Sequence, residues 1–300
     1  MARAWGLILL AFPDRGWRVM PRGVDRITRA AYRNGAMPHA PIVLKGPGRF
    51  KDPANLTWER YIALQTRERE RYLAERATIP QDALDFKSVN PRYLERAIEQ
   101  FANNYFPEQS ATRYIATAAA NAPFEELKTC CLFQLTDEQR HLEMDREVFE
   151  RAGIPERDWQ PAWEQPGTTC RFFRHVLELE DPIEIIVKAN FVAEGAAGPG
   201  TFAVLADGAE ARGDLLSAVN HRARVRDETR HISYARALVK ALIEDDPGNL
   251  DVIQRWQDES LRLFVEVAKG GERREWWEGF LASYYKIALP LGLRPTTLSF

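Results

Sequence analysis

The sequence predicts an all-α protein: a four-helix bundle with a long crossover and additional C-terminal helices. Apolar residues recur at helical spacing over four long stretches, and breaks rich in proline and glycine separate them. No stretch shows the alternation of polar and apolar residues that is typical of a half-buried strand. We expect one helical domain over residues 56–300, with its core bundle at about 90–245.

The first 55 residues are rich in proline, glycine and arginine and show no sustained period. They predict an irregular N-terminal arm over 1–55. An apolar run at 7–12 resembles the core of a signal peptide, but it is short and no small-residue cleavage site follows it. We therefore expect a cytoplasmic protein. A natural start at Met20 is an alternative, and residues 1–19 would then not be native.

Helix bounds follow from the apolar period and from the breaks between periodic stretches. Asn90-Pro91 and Asp181-Pro182 each place a capping side chain before a proline at the first helical position. Pro107 is expected to kink its helix. The predicted helices cover about 58–76, 90–120, 124–152, 181–206, 214–243, 250–268 and 273–288.

The connection over 153–181 carries three prolines and predicts a crossover, with one short helix at about 171–179. A turn at 207–213 joins the next two long helices, and a strong break at 245–249 ends the second of them. The order is hairpin, long crossover, hairpin, which is the ferritin-like arrangement.

Composition excludes several classes of function. The formal net charge is −2 and no basic stretch is long enough to indicate nucleic-acid binding or a membrane-surface anchor. The three cysteines, Cys130, Cys131 and Cys170, cannot form a disulfide framework and none has CxxC spacing. This cysteine usage fits a reducing compartment.

A five-residue pattern, D-E-x-R-H, occurs twice, at 137–141 and at 227–231. Each copy places a glutamate and a histidine three residues apart, on one face of a helix. One such pair is a weak signal, because surface glutamate and histidine often fall at this spacing. Two copies, each on the second helix of a predicted hairpin, favour a metal site with ligands Glu138, His141, Glu228 and His231.

A two-metal site in a bundle needs one more carboxylate from each of the other two helices. In an antiparallel hairpin, residues at one level lie equally far from the turn. Glu138 lies 15 residues after the break at Pro123, and Glu108 lies 15 residues before it. Glu99 would lie nine residues too far along, about 13 Å away at 1.5 Å per residue. Glu108 is therefore the third predicted carboxylate.

The second hairpin selects its carboxylate in the same way. Glu194 lies 17 residues before Ala211 in the turn, and Glu228 lies 17 residues after it. Glu184 misses this level by ten residues. Glu194 also stands alone in an apolar stretch, where a charged side chain needs a partner.

Charge balance supports a two-metal centre. Four carboxylates in one core repel each other strongly, and two divalent ions would balance them. Oxygen ligands with two imidazole nitrogens suit iron or manganese better than structural zinc, which is often bound by thiolates. We expect two iron ions, with a mixed manganese and iron centre as an alternative.

The ligand spacings, 30 from Glu108 to Glu138 and 34 from Glu194 to Glu228, together with the doubled motif, show a resemblance. Over about 90–245 the chain resembles the catalytic subunit of the bacterial multicomponent monooxygenases, which include soluble methane, toluene and phenol hydroxylases. The resemblance implies Glu108, Glu138 and His141 on one iron. It implies Glu194, Glu228 and His231 on the other iron or across both.

The resemblance also implies outer partners for the histidines. Asp137 and Asp227 would accept hydrogen bonds from them, and Arg140 and Arg230 would pair with these aspartates. A surface ion pair within each motif is the alternative interpretation.

The chain departs from the family in length and at single positions. It is nearer in length to the non-catalytic sister subunits, which lack the ligands. Gly198 stands where the family usually has a threonine. Arg224 replaces an apolar pocket residue one turn before Glu228, with His221 one turn further back. Arg224 predicts either a polar or anionic substrate or an internal salt bridge. The expected pocket residues are Arg224, His221, Ile115, Leu135 and Phe191.

The implied activity is that of a non-haem di-iron oxygenase that inserts one atom of O2 into a small organic substrate, by hydroxylation or epoxidation. No flavin, nicotinamide or iron–sulfur pattern is present, so the electrons would come from a reductase or ferredoxin. A homodimer or a complex with a sister subunit is expected. Alternatives are a ligand-binding di-iron or manganese–iron oxidase related to ribonucleotide reductase, and a non-catalytic metal-binding subunit. Asp145 occupies the position of the reductase's radical tyrosine.

Overall fold

The computed structural model describes residues 42–44, 50–165, 168–268 and 274–298. The regular structure of these residues is helical, and they include no β-strand. The prediction of an all-α bundle is confirmed. In chain order the helices are α1 Trp58–Arg76, α2 Gln81–Leu84, α3 Pro91–Asn121, α4 Glu125–Arg151, α5 Glu156–Trp163, α6 Cys170–Leu177, α7 Pro182–Ile185, a π-helix Ile186–Glu194, α8 Gly195–Glu210, α9 Leu215–Asp245, α10 Asn249–Ala268 and α11 Arg274–Ala288.

Two hairpins form the bundle. Helix α3 packs along α4, and the π-helix and α8 pack along α9, while the short α7 that precedes them packs on α3. Helices α4 and α9 pack against each other and join the hairpins. The crossover helices α5 and α6 cover α3, while α10 covers the π-helix and α11 covers α8. The described helices include none that is both long and apolar enough to cross a bilayer.

Side-chain caps fix where three of the bundle segments begin. Asn90 accepts a hydrogen bond from the backbone N–H of the second residue of α3. Asp181 accepts two backbone N–H groups at the start of α7, and Asp214 caps α9 through the N–H of Ser217. These caps satisfy donors that a helix start leaves unpaired. The predicted helix starts are accordingly close to the observed ones.

Three local predictions are corrected. The third long helix does not stop before Asp207 but continues through Gly208 to Glu210, since α8 packs against both α9 and α11. The crossover contains α5 as well as α6, because burial of Trp159 and Trp163 outweighs the cost of Pro161 inside a short helix. The short helix α2 was not expected. The predicted arm over 1–55 lies largely outside the described residues.

The π-helix is the most unusual element of the bundle. Ile186–Ala193 are buried, and the backbone N–H of Gly195 donates to the carbonyl of Asn190, five residues earlier. Lys188 is buried within it and pairs with Glu184 at 2.7 Å and Glu259 at 2.8 Å. π-Helical turns inside α-helices are rare and occur frequently at functional sites. This one ends at Glu194.

Candidate metal centre

The six predicted ligands come together in the middle of the bundle. They form two overlapping groups whose donor atoms lie within 4.8 Å of one another. Five of the six are buried, and Glu194 is partly exposed because it lines a cavity. The first group is Glu108, Glu138, His141 and Glu228, and the second is Glu138, Glu194 and His231.

Two glutamates face both histidines. The Nδ1 atom of His141 lies 3.3 Å from Oε2 of Glu138 and 3.6 Å from Oε1 of Glu228. The Nδ1 atom of His231 lies 3.4 Å from the other oxygen of Glu138 and 3.7 Å from the other oxygen of Glu228. Each of these carboxylates therefore spans the centre. The family resemblance suggested Glu138 for one ion only, and the geometry instead turns it toward both positions.

The remaining two carboxylates each face one histidine. Oε2 of Glu108 lies 3.4 Å from Nδ1 of His141, and Oε2 of Glu194 lies 3.8 Å from Nδ1 of His231. Two ligand atoms about 2.1 Å from a common ion are themselves about 3 Å or more apart. These separations therefore suit two metal positions, one beside each histidine.

Unpartnered donor atoms support this fit. The Nδ1 atoms of His141 and His231 and Oε2 of Glu194 are buried without a hydrogen-bond partner among the described residues. Buried polar atoms in proteins are normally paired, so atoms left without a partner need an explanation. All three atoms belong to the same centre, and a divalent ion at each position would satisfy them.

Each histidine is held by the aspartate of the other motif. The Nε2 atom of His141 lies 3.2 Å from Oδ2 of Asp227, and Nε2 of His231 lies 3.1 Å from Oδ2 of Asp137. These contacts favour the tautomer that carries its proton on Nε2, which leaves Nδ1 free to bind a metal. The aspartates thus act across the interface between α4 and α9.

The motif arginines pair with the same aspartates. Arg140 pairs with Asp227, and Arg230 pairs with Asp137 and, at 3.1 Å, with Asp227. Only the last of these contacts joins residues of one motif, and both aspartates are fully buried. The alternative of two separate surface ion pairs is therefore wrong, because these charges form one buried network between helices.

Gln134, which sequence reasoning missed, lies between two carboxylates. Its Nε2 donates to Oε1 of Glu138 at 2.7 Å and to Oε1 of Glu194 at 3.0 Å. Its carbonyl oxygen accepts from Asn190 of the π-helix and from the hydroxyl of Tyr234. The available signal was its position one turn before Glu138, on the same helical face.

Arg224 is fully buried and paired within the protein. Its Nη1 donates to Oε1 of Glu108 at 3.1 Å, and its Nη2 donates to Asp145 and to the carbonyl of His141 at 3.2 Å. These acids balance its charge, as the internal salt-bridge interpretation requires. An anionic substrate is therefore not needed to explain a buried arginine here.

A cavity of about 430 Å³ adjoins the centre. It follows one face of α3 from the exposed Glu99 to the buried Tyr114, and Glu108, Glu138, Glu194 and Glu228 line it. Its apolar wall consists of alanines, phenylalanines and one leucine: Ala111, Phe173, Ala189, Ala193, Ala197, Phe202, Leu205, Phe264 and Phe280.

The predicted pocket residues are mostly corrected. Arg224 lines this cavity, but Ile115, Leu135, Phe191 and His221 are not among its lining residues. One residue along a helix turns the side chain by about 100°, so Tyr114 faces the cavity while its neighbour Ile115 is fully buried in the core. The ring of Phe191 packs edge-on against Tyr284. Leu135 is partly buried against the core, and the ring of His221 is buried 5.8 Å from that of Phe202.

Comparison with known proteins places the chain in a family. A family model described as methane, phenol and alkene hydroxylase matches residues 29–246. The chain belongs to this hydroxylase family. Over 266 residues it is 24% identical to the beta subunit of the hydroxylase component of the toluene-4-monooxygenase system of Ectopseudomonas mendocina. That match covers 81% of this chain and 76% of the relative.

Solved structures of the hydroxylase family share the fold. A structure of toluene 4-monooxygenase with toluene in its resting active site has a TM-score of 0.70 at 20% identity, covering 89% of this chain and 87% of that one. Xenon-pressurized phenol hydroxylase from Pseudomonas sp. OX1 has a TM-score of 0.70 at 18% identity, over 85% and 56%. An R2-like ligand-binding oxidase from Sulfolobus acidocaldarius has a TM-score of 0.50 at 18% identity, over 81% and 95%. The ferritin-like prediction is thereby confirmed.

Without metal, this hydroxylase-family centre retains protons. Burial raises the pKa of Glu138 to about 8, with Glu108 adding to the effect, and burial raises the pKa of Glu194 well above its usual range. Burial would lower the pKa of His141 and His231, but the surrounding carboxylates raise it well above 6.5. Glu108 differs, because Arg224 and His141 overcome burial and hold its pKa at about 2.

Metal affinity should therefore rise with pH. An ion must displace the protons held by Glu138, Glu194 and the histidines, and each displaced proton makes the Kd fall about tenfold per pH unit. We expect titration calorimetry with Mn²⁺ to show this fall between about pH 6 and 8. The metal-free protein should lose stability over the same range, because groups with a raised folded pKa stabilise the fold only while protonated. A Kd that does not change with pH would contradict the assignment.

Proposed function

We propose that the protein is the metal-binding subunit of a di-iron monooxygenase, which inserts one atom of O2 into a small organic molecule. The observation that supports this proposal best is the convergence of four carboxylates and two imidazoles from four helical segments on one centre beside a largely apolar cavity. The matched relative is named a beta subunit, and a non-catalytic sister subunit would be expected to lack ligands. This chain carries all six.

The chain's own residues would hold and orient the ions. Two bound iron ions would supply the O2 chemistry, with electrons delivered to them by a partner protein. Glu138 and Glu228 face both positions and would hold both ions together. Asp137 and Asp227 would hold the two imidazole rings in the orientation that binds metal, which is the usual role of hydrogen bonds to ligand histidines. The separate ligands would be Glu108 and His141 at one position and Glu194 and His231 at the other.

The cavity indicates the kind of substrate. Its wall beside the carboxylates is formed by small and aromatic side chains, such as Ala193, Ala197 and Phe202. Such a wall would exclude water and leave room for an apolar or aromatic group. Polar side chains lie at its outer end, where Glu99 is exposed. We infer a small organic substrate whose apolar part faces the metals.

Electrons would reach the centre from another protein. The chain has three cysteines, all buried, and no flavin or nicotinamide fingerprint. A reductase or ferredoxin is therefore the expected partner, alongside a sister subunit or a second copy of the chain. The family relative is itself named as one subunit of a multicomponent system.

The test uses the purified chain loaded anaerobically with two equivalents of Fe²⁺, together with a surrogate reductase and NADH as the source of the two electrons that reduce the second oxygen atom to water. Toluene is the trial substrate, and ¹⁸O₂ is admitted. We expect one ¹⁸O atom in the hydroxylated product, and no product from Glu228→Gln. O2 consumption without labelled product from any trial hydrocarbon would favour the oxidase alternative. Metal binding without O2 consumption would favour a storage or partner subunit.

A further inference from the structure

The two metal-binding motifs are related more closely than the four residues they share show. On α4 and α9 the two histidines make equivalent contacts with the opposite aspartate, at 3.2 and 3.1 Å. One helical turn before each bridging glutamate stands a further buried side chain, Gln134 in the first copy and Arg224 in the second. The copies match in geometry and differ in chemistry at this position.

Gln134 and Arg224 each donate a hydrogen bond to a carboxylate that faces only one histidine, and Gln134 donates in addition to Glu138. Gln134 donates to Oε1 of Glu194 at 3.0 Å, and Arg224 donates to Oε1 of Glu108 at 3.1 Å. In both cases Oε2 of the carboxylate is left to face a histidine. Each donor thus fixes a glutamate so that one oxygen points toward a metal position. One donor is a neutral amide, and the other carries a full positive charge.

The residues behind these donors keep the difference in place. The carbonyl of Gln134 accepts from Asn190 and Tyr234, which are neutral. Arg224 pairs with Asp145, four residues after the first histidine, whereas Ala235 occupies the equivalent place after the second. In the ion pair of Arg224 with Asp145, the guanidinium is the group that contacts Glu108. In a buried site such a charge is weakly screened.

We propose that Arg224, held by Asp145, makes the two metal positions unequal. The position beside Glu194 and His231 fills first. The position beside Glu108 and His141 fills second and binds a divalent ion more weakly, because the guanidinium repels the ion and competes for the carboxylate. For this order to hold, the repulsion has to exceed the cost of displacing the proton from Glu194 at the other position. This inference rests on the proposed metal centre and adds an order of filling to it.

The experiment titrates the metal-free chain with Mn²⁺, followed by calorimetry and by electron paramagnetic resonance. The wild type should show two steps whose Kd values differ by at least about tenfold, the scale of a nearby buried charge. Signal from isolated Mn²⁺ should grow to one equivalent and then give way to that of a coupled pair. The double variant Arg224→Gln/Asp145→Ala copies the other half of the centre, and its two steps should merge.

Two further variants assign the steps in an otherwise unchanged protein. Glu194→Gln should weaken the tight step, and Glu108→Gln should weaken the second step. Equal steps in the wild type, or loss of the tight step in Glu108→Gln, would overturn the proposed order. A double variant that folds, by circular dichroism, but keeps two separated steps would do the same. If Mn²⁺ does not bind the wild type at all, the metal centre itself is wrong, and the order of filling falls with it.

Discussion

Replacing Glu138 by alanine is expected to leave the protein without either metal ion. Its two oxygens lie 3.3 and 3.4 Å from Nδ1 of His141 and His231, so it contributes to both positions. Loss of a shared ligand also removes the negative charge that holds two cations close together. Metal content of the purified variant, measured by mass spectrometry, should fall from about two ions per chain to well under one.

Two variants calibrate this result. Glu143→Ala removes an exposed acid from the same helix and should keep both ions. His231→Ala should lose at least the ion beside Glu194, because the substitution removes the only histidine in that group of ligands. Full metal content in both Glu138→Ala and His231→Ala would show that the ions bind elsewhere.

Replacing Asp137 by alanine should lower the free energy of unfolding by about 3–5 kcal/mol, the usual cost of breaking a buried ion pair. Its carboxylate is fully buried and accepts from the Tyr61 hydroxyl at 2.8 Å, the Gln65 amide at 2.7 Å and His231 Nε2 at 3.1 Å, besides pairing with Arg230. Urea denaturation of the metal-free protein measures this loss without the contribution of bound ions.

Tyr61→Phe is the matched comparison. It removes one donor to Asp137 and keeps the ring stacked on Phe133, so it should cost only about 1 kcal/mol. If Asp137→Ala costs no more than Tyr61→Phe, the carboxylate does not hold this network together.

Local interactions made much of the fold predictable. Asn90, Asp181 and Asp214 cap helices through backbone groups two or three residues away, so their effect is visible in sequence. The end of α8 was missed because Gly208 is a helix breaker by propensity, and the packing of α8 on α9 and α11 overrides that propensity.

The centre was predictable as far as helix periodicity and hairpin level determine it. Those two rules bring the six donors together without any knowledge of how α4 and α9 are rotated. The rotation of the two helices decides that Asp137 contacts His231 rather than His141. The spacing of residues within one motif gives no information about that rotation. The sequence marks Arg224 as a departure from the hydroxylase family and Asp145 as a departure from ribonucleotide reductase, but their pairing joins residues 79 apart in the sequence.

The π-helix constrains the length of its segment more than its composition. In an α-helix each residue turns the chain by about 100°. The turns at Ile186–Glu194 are wider, so each residue there turns the chain by a smaller angle. Deleting one residue there would favour closure into an α-helix, and Glu194 would then rotate away from the centre if Lys188 kept its ion pair with Glu259. Apolar exchanges among the buried residues leave this register intact. Gaps in a sequence alignment at this place would therefore signal a lost metal position more reliably than substitutions.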